Sequence, residues 1–200
     1  MSQRPVAKIQ PESFEFTPEN LKKAEEFIAT YPKGRQQSAV LPLLDLAQRQ
    51  NQNWVSLAAM DVIAQMLQMP YIRVYEVATF YSMFNLAPVG KHFIQICRTT
   101  PCWLRGSDDV TSACKSKLGI GIGETTEDGK FSLVEVECLG ACVNAPVVQI
   151  NDDYYEDLDR QSMERVLDEL ASGRHPKVGS VKGRQCSAPE GWSPSQKEGA

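Results

Sequence analysis

The stretch "VEVECLGACVNAPVVQI", residues 134–150, decides how the second half of the chain is read. It opens with apolar and polar residues in alternation, the period of a half-buried strand, and closes on the β-branched run "PVVQI". Between the two lie Cys138 and Cys142, in a loop that links one strand to the next. A matching pair stands upstream in "HFIQICRTTPC", residues 92–102. There Cys97 closes a β-rich run, and Cys102 follows in a loop ahead of a helix. Both pairs therefore fall at strand ends, where loops face each other at one edge of a sheet.

Four thiolates converging at one edge form a soft donor set, suited to iron–sulfur chemistry. The pairs read C-x4-C and C-x3-C. Zinc sites more often use C-x2-C, although wider spacings occur, so zinc stays open beside iron. A dithiol redox motif would be C-x-x-C, which is absent. The loops suit a cluster: Gly140 tolerates positive φ and close approach, and Pro101 stiffens the path to Cys102. Spacing does not choose between a 2Fe–2S and a 4Fe–4S cluster. Arg98 inside the first loop and Arg105 just beyond it are cations that would favour the added negative charge of a reduced cluster. A solvated Arg98 is the plain alternative.

Working outward, "GSDDVTSACKSKLG" (106–119) reads as a helix closed by Gly119. Asp128-Gly129 signals a hairpin-type turn before an alternating strand. "DYYEDL" (153–158) reads as a short edge strand. Asp159 is an N-cap candidate for a helix whose apolar stripe is Met163, Val166, Leu167 and Leu170, with Gly173 after its end. The order β-α-β-β-β-α predicts a small sheet with helices packed on it.

Upstream, the period changes to helical. "FTPENLKKAEEFIATYP" (16–32) has Thr17 as N-cap and Pro18 at the first helical position, with Leu21, Ala24, Ile28 and Tyr31 on one face. "SAVLPLLDLAQRQN", "SLAAMDVIAQMLQMP" and "YIRVYEVATFYSMF" give three further helices. The aromatic group Tyr71, Tyr75, Phe80, Tyr81 and Phe84 reads as core or interface, with Tyr71, Tyr75 and Phe84 at helical spacing. The fold class is α+β: a helical domain over 1–86, a sheet domain over 87–173, and an extended tail over 174–200 rich in Pro, Gly, Ser and Lys. "NLAPVGKH" (85–92) reads as the linker.

Composition narrows the function. With 42% hydrophobic and 23% charged residues the chain is an ordinary globular one. A net charge of −4 argues against a nucleic-acid partner, which needs a basic face. No apolar run approaches the roughly 20 residues that span a bilayer, so no direct membrane insertion is expected. The N-terminal stretch lacks an apolar core and carries Glu12 and Glu15, unlike a transit peptide, so a cytoplasmic setting is expected. Thiols stay reduced there, which argues against structural disulfides.

Together, "HFIQICRTTPCWLRGS", "GETTEDGKFSLVEVECLGACVNAPVVQIND" and "YYEDL" resemble the thioredoxin-like 2Fe–2S subunit of respiratory complex I, the NADH:quinone oxidoreductase E-subunit family. "VYEVATFYSMF" is similar to that family's helical domain. The resemblance covers about residues 17–173. It implies an N-terminal helical bundle followed by a thioredoxin-like α/β domain. It implies that Cys97, Cys102, Cys138 and Cys142 ligate one 2Fe–2S cluster that exchanges an electron with FMN. FMN and NAD would be bound by the partner subunit and not by this chain. The implied partners are that FMN/NADH-binding subunit and other peripheral-arm subunits. The implied place is peripheral, on the inner face of the cell membrane, and the implied activity is that of a translocase complex, this chain not being catalytic alone. The rival readings are the equivalent diaphorase subunit of an NAD-linked hydrogenase or formate dehydrogenase, and a zinc-stabilised interaction module without redox chemistry.

Several features carry no site. "GIGIGE" (119–124) puts Glu124 where a dinucleotide loop needs its third glycine, and it follows a helix where the fingerprint follows a strand. Cys114, mid-helix, reads as a small buried residue. Cys186 reads as a free thiol or an interface contact. His92 and His175 read as surface residues. "EEFIAT" and "DDYYEDLD" read as solvated acidic faces.

Overall fold

The computed structural model describes residues 6–185, and its contacts divide the chain into two units with the boundary between Val89 and Gly90. Cys186 and the last part of the expected tail lie outside the described residues.

The first unit is helical. Helix α1 (Pro18–Ala29) starts where Thr17 Oγ1 accepts the Asn20 amide at 3.3 Å, an N-cap followed by proline at the first position. A 3₁₀ turn (Gln36–Ala39) leads into α2 (Val40–Gln50), with Pro42 in its first turn. Ser56 caps α3 (Leu57–Met66) by accepting the Ala59 amide at 3.1 Å. Pro70 precedes α4 (Tyr71–Phe80). Leu43, Leu44, Met60, Ile63 and Val74 are wholly buried among these helices and form their common core.

Two expectations for this unit are corrected. Leu21 lies on the apolar side of α1 by spacing, yet it is exposed and Ala24 holds the buried position. Helix α4 ends at Phe80, so Phe84 is not on it; Phe84 is buried from the following loop while Phe80 is 77% exposed.

The second unit is a mixed five-strand sheet with helices. Its strands are β1 (His92–Cys97), β2 (Phe131–Val136), β3 (Val148–Ile150), β4 (Asp153–Glu156) and β5 (Gly179–Ser180), in the order β2-β1-β3-β4-β5. Strands β1 and β2 run parallel, β1–β3 and β3–β4 antiparallel, and β4–β5 parallel. Helices α5 (Thr100–Leu104) and α6 (Ser107–Leu118) fill the β1–β2 crossover, and α7 (Arg160–Ala171) follows β4. Helices α6 and α7 pack together, and Val110, Cys114, Met163 and Leu167 close the core over Ile94, Ile96 and Leu133. Asp159 and Ser162 form a reciprocal capping box at the start of α7, and Gly119 ends α6 at φ +68.

The structure changes three readings here. Strand β2 does not alternate, because Phe131, Ser132 and Leu133 are all buried. Strand β4 is not an edge: the chain beyond residue 174 returns and pairs Gly179 and Ser180 with Tyr155 and Glu156. The region expected as an extended tail therefore supplies an edge strand as far as it is described. Pairing with a distant segment, not local pattern, decides which strand lies at the edge.

Candidate metal centre

The parallel pairing of β1 and β2 builds the site. Its register sets Cys97 opposite Val136, so both strands end at the same edge, and Cys138 stands two residues beyond. The β1–β3 pairing places Val148 opposite Ile96, and the Cys97 amide donates to the Val147 carbonyl at 3.2 Å. The loop between β2 and β3 is thereby folded back over the end of β1. Cys102 is not in a loop, as expected from sequence, but inside the short helix α5, with Pro101 at its second position. Cys142 opens a 3₁₀ turn, Cys142–Asn144.

All five described cysteines are free thiols. Cys97 and Cys102 are each 1% exposed, while Cys138 and Cys142 face outward with their sulfurs 3.4 Å apart. The acidity of Cys97 responds to Cys102, and that of Cys138 to both Cys142 and Cys97, so the two pairs lie beside each other. Ala141, Ala145 and Val147 pack with Cys97 and Cys102 in a small apolar cluster, which Leu139 and Tyr154 border. Among the described residues, no three His, Cys, Asp or Glu side chains form a group that could hold a single metal ion.

The thiols differ in acidity. Burial pushes Cys97 up, but hydrogen bonds from the Thr99 hydroxyl, the backbone at Leu139 and Thr99, and Cys102 outweigh it, so Cys97 lies below the ordinary thiol value. The Gly140 amide, 3.4 Å from Cys138 Sγ, lowers Cys138, helped by Cys142 and Thr99. Burial first, then Cys97, pushes Cys102 up to about 12. Its bond to Cys138, and to a lesser degree burial, raises Cys142. Each pair thus holds one thiol set below the ordinary value and one set above it, where the proton is held more firmly. Binding a metal centre to all four would release those protons, so loading grows easier as pH rises.

The donor set and its cradle fit a 2Fe–2S cluster. Four thiols lie in two facing pairs, the inner pair dry and the outer pair accessible. Gly140 takes φ +83, with nothing within 4 Å of where a Cβ would stand, and its amide points at sulfur.

Sequence reasoning expects the four cysteines and the glycine to form the site; the structure adds the residues that surround them. Thr99 Oγ1 lies 3.3 Å from Cys97 Sγ. Tyr154, on β4, donates its hydroxyl to the Leu139 carbonyl at 2.8 Å and so pins the loop between Cys138 and Cys142. Arg98 pairs with Glu135 at 2.8 Å, which offsets its charge, whereas Arg105 and Lys182 border a hollow of about 330 Å³ beside Cys142. The reading of "DDYYEDLD" as a solvated face is overturned: Glu156 and Asp157 are 1% and 2% exposed. Their partners, Asn144 and Arg184, lie 12 and 27 residues away in the chain, where no local pattern reveals them.

The remaining candidates lie away from this edge. Cys114 is fully buried in α6. His92 begins β1, at the opposite end of the strand from Cys97, with its ring 5.2 Å from that of Phe131. His175 is exposed. "GIGIGE" is a turn tied to β2, with the Gly123 amide on the Leu133 carbonyl at 2.7 Å and the Glu124 carboxylate on the Gly121 amide at 2.6 Å.

Comparison with known proteins gives the family. The profile of the thioredoxin-like 2Fe-2S ferredoxin family matches residues 24–171. The chain is 63% identical over 158 residues to the NADH-quinone oxidoreductase E-subunit of Rickettsia bellii (strain RML369-C), spanning 79% of this chain and 95% of that one. It is 54% identical over 179 residues to the mitochondrial NADH dehydrogenase (ubiquinone) flavoprotein 2 of Dictyostelium discoideum, spanning 89% and 72%. Among solved structures, an NAD+-reducing NiFe-hydrogenase in the H2-reduced state is similar with a TM-score of 0.58, over 68% of this chain and 23% of that one. At 19% identity that likeness is one of fold. The chain belongs to the thioredoxin-like 2Fe-2S ferredoxin family and, within it, to the NADH-quinone oxidoreductase E-subunit family.

Proposed function

We propose that this chain is the electron-transfer subunit of an NADH:quinone oxidoreductase. In this reading Cys97, Cys102, Cys138 and Cys142 hold one 2Fe–2S cluster, which exchanges an electron with the FMN of an NADH-binding partner. One observation carries it: the β1–β2 register brings two thiol pairs, remote in sequence, to one sheet edge.

A 2Fe–2S cluster takes up and releases one electron at a time. This chain's residues set the terms. Cys97 and Cys102 hold the inner side in a dry, apolar surround, which disfavours added charge. The Gly140 amide and Thr99 hydroxyl hydrogen-bond to sulfur and favour it. Cys138 and Cys142 form the exposed side, through which an electron can pass to a partner held against this edge.

The helical unit, the sheet unit and the chain beyond them are the domains of this subunit in the same reading. FMN and NAD belong to the partner, and other peripheral-arm subunits complete the assembly at the inner face of the membrane. No helix among the described residues is long and apolar enough to cross a membrane.

Electron paramagnetic resonance on the full chain, purified anaerobically and then reduced, tests the assignment. The expected result is a 2Fe–2S signal with iron and sulfide in matching amounts. Serine at any of the four positions abolishes or alters that signal, and Cys114→Ser leaves it unchanged. A colourless protein containing zinc and giving no signal sinks the reading.

A further inference from the structure

Behind the outer cysteine pair lies a layer of polar groups that the redox reading does not use: Asn144, Glu156, Asp157 and Ser180 are buried, and Arg184 is half-exposed. Asn144 ends the 3₁₀ turn that Cys142 begins and is 2% exposed. Its Nδ2 donates to Glu156 Oε2 at 2.6 Å and to the Gln185 carbonyl at 2.7 Å, so both amide hydrogens are engaged. Arg184 forks onto Asp157, with Nε 3.0 Å from Oδ2 and Nη2 2.6 Å from Oδ1. The same Nη2 donates to the Val143 carbonyl at 2.9 Å. Ser180 Oγ donates to Asp157 Oδ2 at 2.6 Å. The main chain continues the stitching: the Asp157 amide donates to the Asn144 carbonyl at 2.7 Å, and the Leu158 amide to that of Pro146 at 3.2 Å.

The placement matters because of what Cys142 lacks. Its side chain is exposed, with Cys138 Sγ as its sulfur neighbour, so apolar packing does not fix its direction. Direction must come from the backbone of the turn. The turn is gripped at the next two residues: Arg184 holds the Val143 carbonyl, and the Gln185 carbonyl holds the Asn144 side-chain amide, both from the segment that follows β5. A bidentate guanidinium on a buried carboxylate is a rigid joint, and lysine cannot reproduce its fork.

We propose that Gly179–Gln185 is a strap that positions Cys142 as a cluster ligand, with Arg184 and Asn144 as positioning residues anchored on Asp157 and Glu156. The inference rests on the reading of Cys142 as a ligand and deepens it. Groups that orient metal ligands from behind typically contribute 10- to 100-fold to retention of the metal.

The test compares full-chain wild type with Arg184→Gln, Arg184→Lys and Lys177→Gln, the last an exposed residue just before the strap. Each is loaded with its cluster and challenged with an iron chelator, while paramagnetic resonance spectra and Tm are recorded. Arg184→Gln is expected to lose its visible absorbance roughly 10- to 100-fold faster than wild type, with shifted g-values, at a Tm close to wild type. Arg184→Lys falls between the two, and Lys177→Gln matches wild type. Should Arg184→Gln fail to fold, Arg184→Lys carries the comparison. A folded Arg184 variant with wild-type spectrum and lifetime overturns the strap and leaves the cluster reading intact. A wild-type chain without any 2Fe–2S signal overturns both.

Discussion

Buried thiols separate into those with a chemical use and those without. Cys114 has none: it lies fully inside the α6–α7 core, where burial pushes it up to about 12. Its folded value stands above the ordinary 9.0, so folding favours the protonated thiol. That stability is complete below pH 9 and is lost as pH rises through about 12, at a slope of up to about 1.4 kcal/mol per pH unit. Cys114→Ala is expected to cost about 1 kcal/mol at pH 8, for the void it leaves. Denaturant titrations of the two proteins should then converge above pH 9 and cross near pH ~10, the wild type being the less stable beyond it, because the variant has no thiol to ionise. Curves that stay parallel would show that Cys114 ionises as freely in the fold as out of it. Tyr155, also raised by burial to about 12, is common to both proteins and cancels. The same contrast explains what was legible at this scale. The proposed ligand cysteines announce themselves by local pairing, and Gly140 by its place between two of them. Glu156, Asp157, Asn144 and Arg184 do not, because an acidic residue in a polar stretch looks solvated until its distant cation arrives.

At the scale of elements, starts and stops were written locally and pairings were not. Thr17 with Pro18, Asp159 with Ser162, and Gly119 act within one turn, so their signals survive in the sequence. The interior place of β4 depends on two residues more than twenty positions downstream, and no period marks a two-residue strand. The linker reading of "NLAPVGKH" missed a similar non-local constraint at Gly90. A Cβ there would stand 2.6 Å from the Phe131 carbonyl carbon and 2.8 Å from its nitrogen, both backbone atoms that cannot turn aside. Its amide also donates to Ser132 Oγ at 2.7 Å. Gly90→Ala is expected to push β1 away from the start of β2 and to lower stability by about 1–3 kcal/mol, as overpacking does. Because β1 and β2 carry the two ligand loops, amide exchange in both strands should quicken together. Unchanged protection and Tm would mean that the strands slide apart without loss.

For the whole molecule, the change from helices to strands near residue 90 separates two cores. The helical core draws on residues from Phe16 to Leu86, and the sheet core on residues from Ile94 to Leu170. All four proposed ligands, and Thr99, Gly140, Tyr154 and Arg184 that support them, belong to the second unit. Roughly a hundred residues with one buried core are enough for a domain to stand alone. A fragment covering residues 90–200 should therefore fold cooperatively and take up a 2Fe–2S cluster with the paramagnetic signal of the full chain. Circular dichroism and reconstitution with iron and sulfide, run beside the intact protein, decide the matter. A fragment that stays unfolded and colourless while the intact chain loads would show that the helical unit is part of the metal centre's scaffold. A fragment that loads normally confines the helical unit to contacts outside the cluster, where exposed Ile72, Phe80 and Met83 offer it an apolar surface.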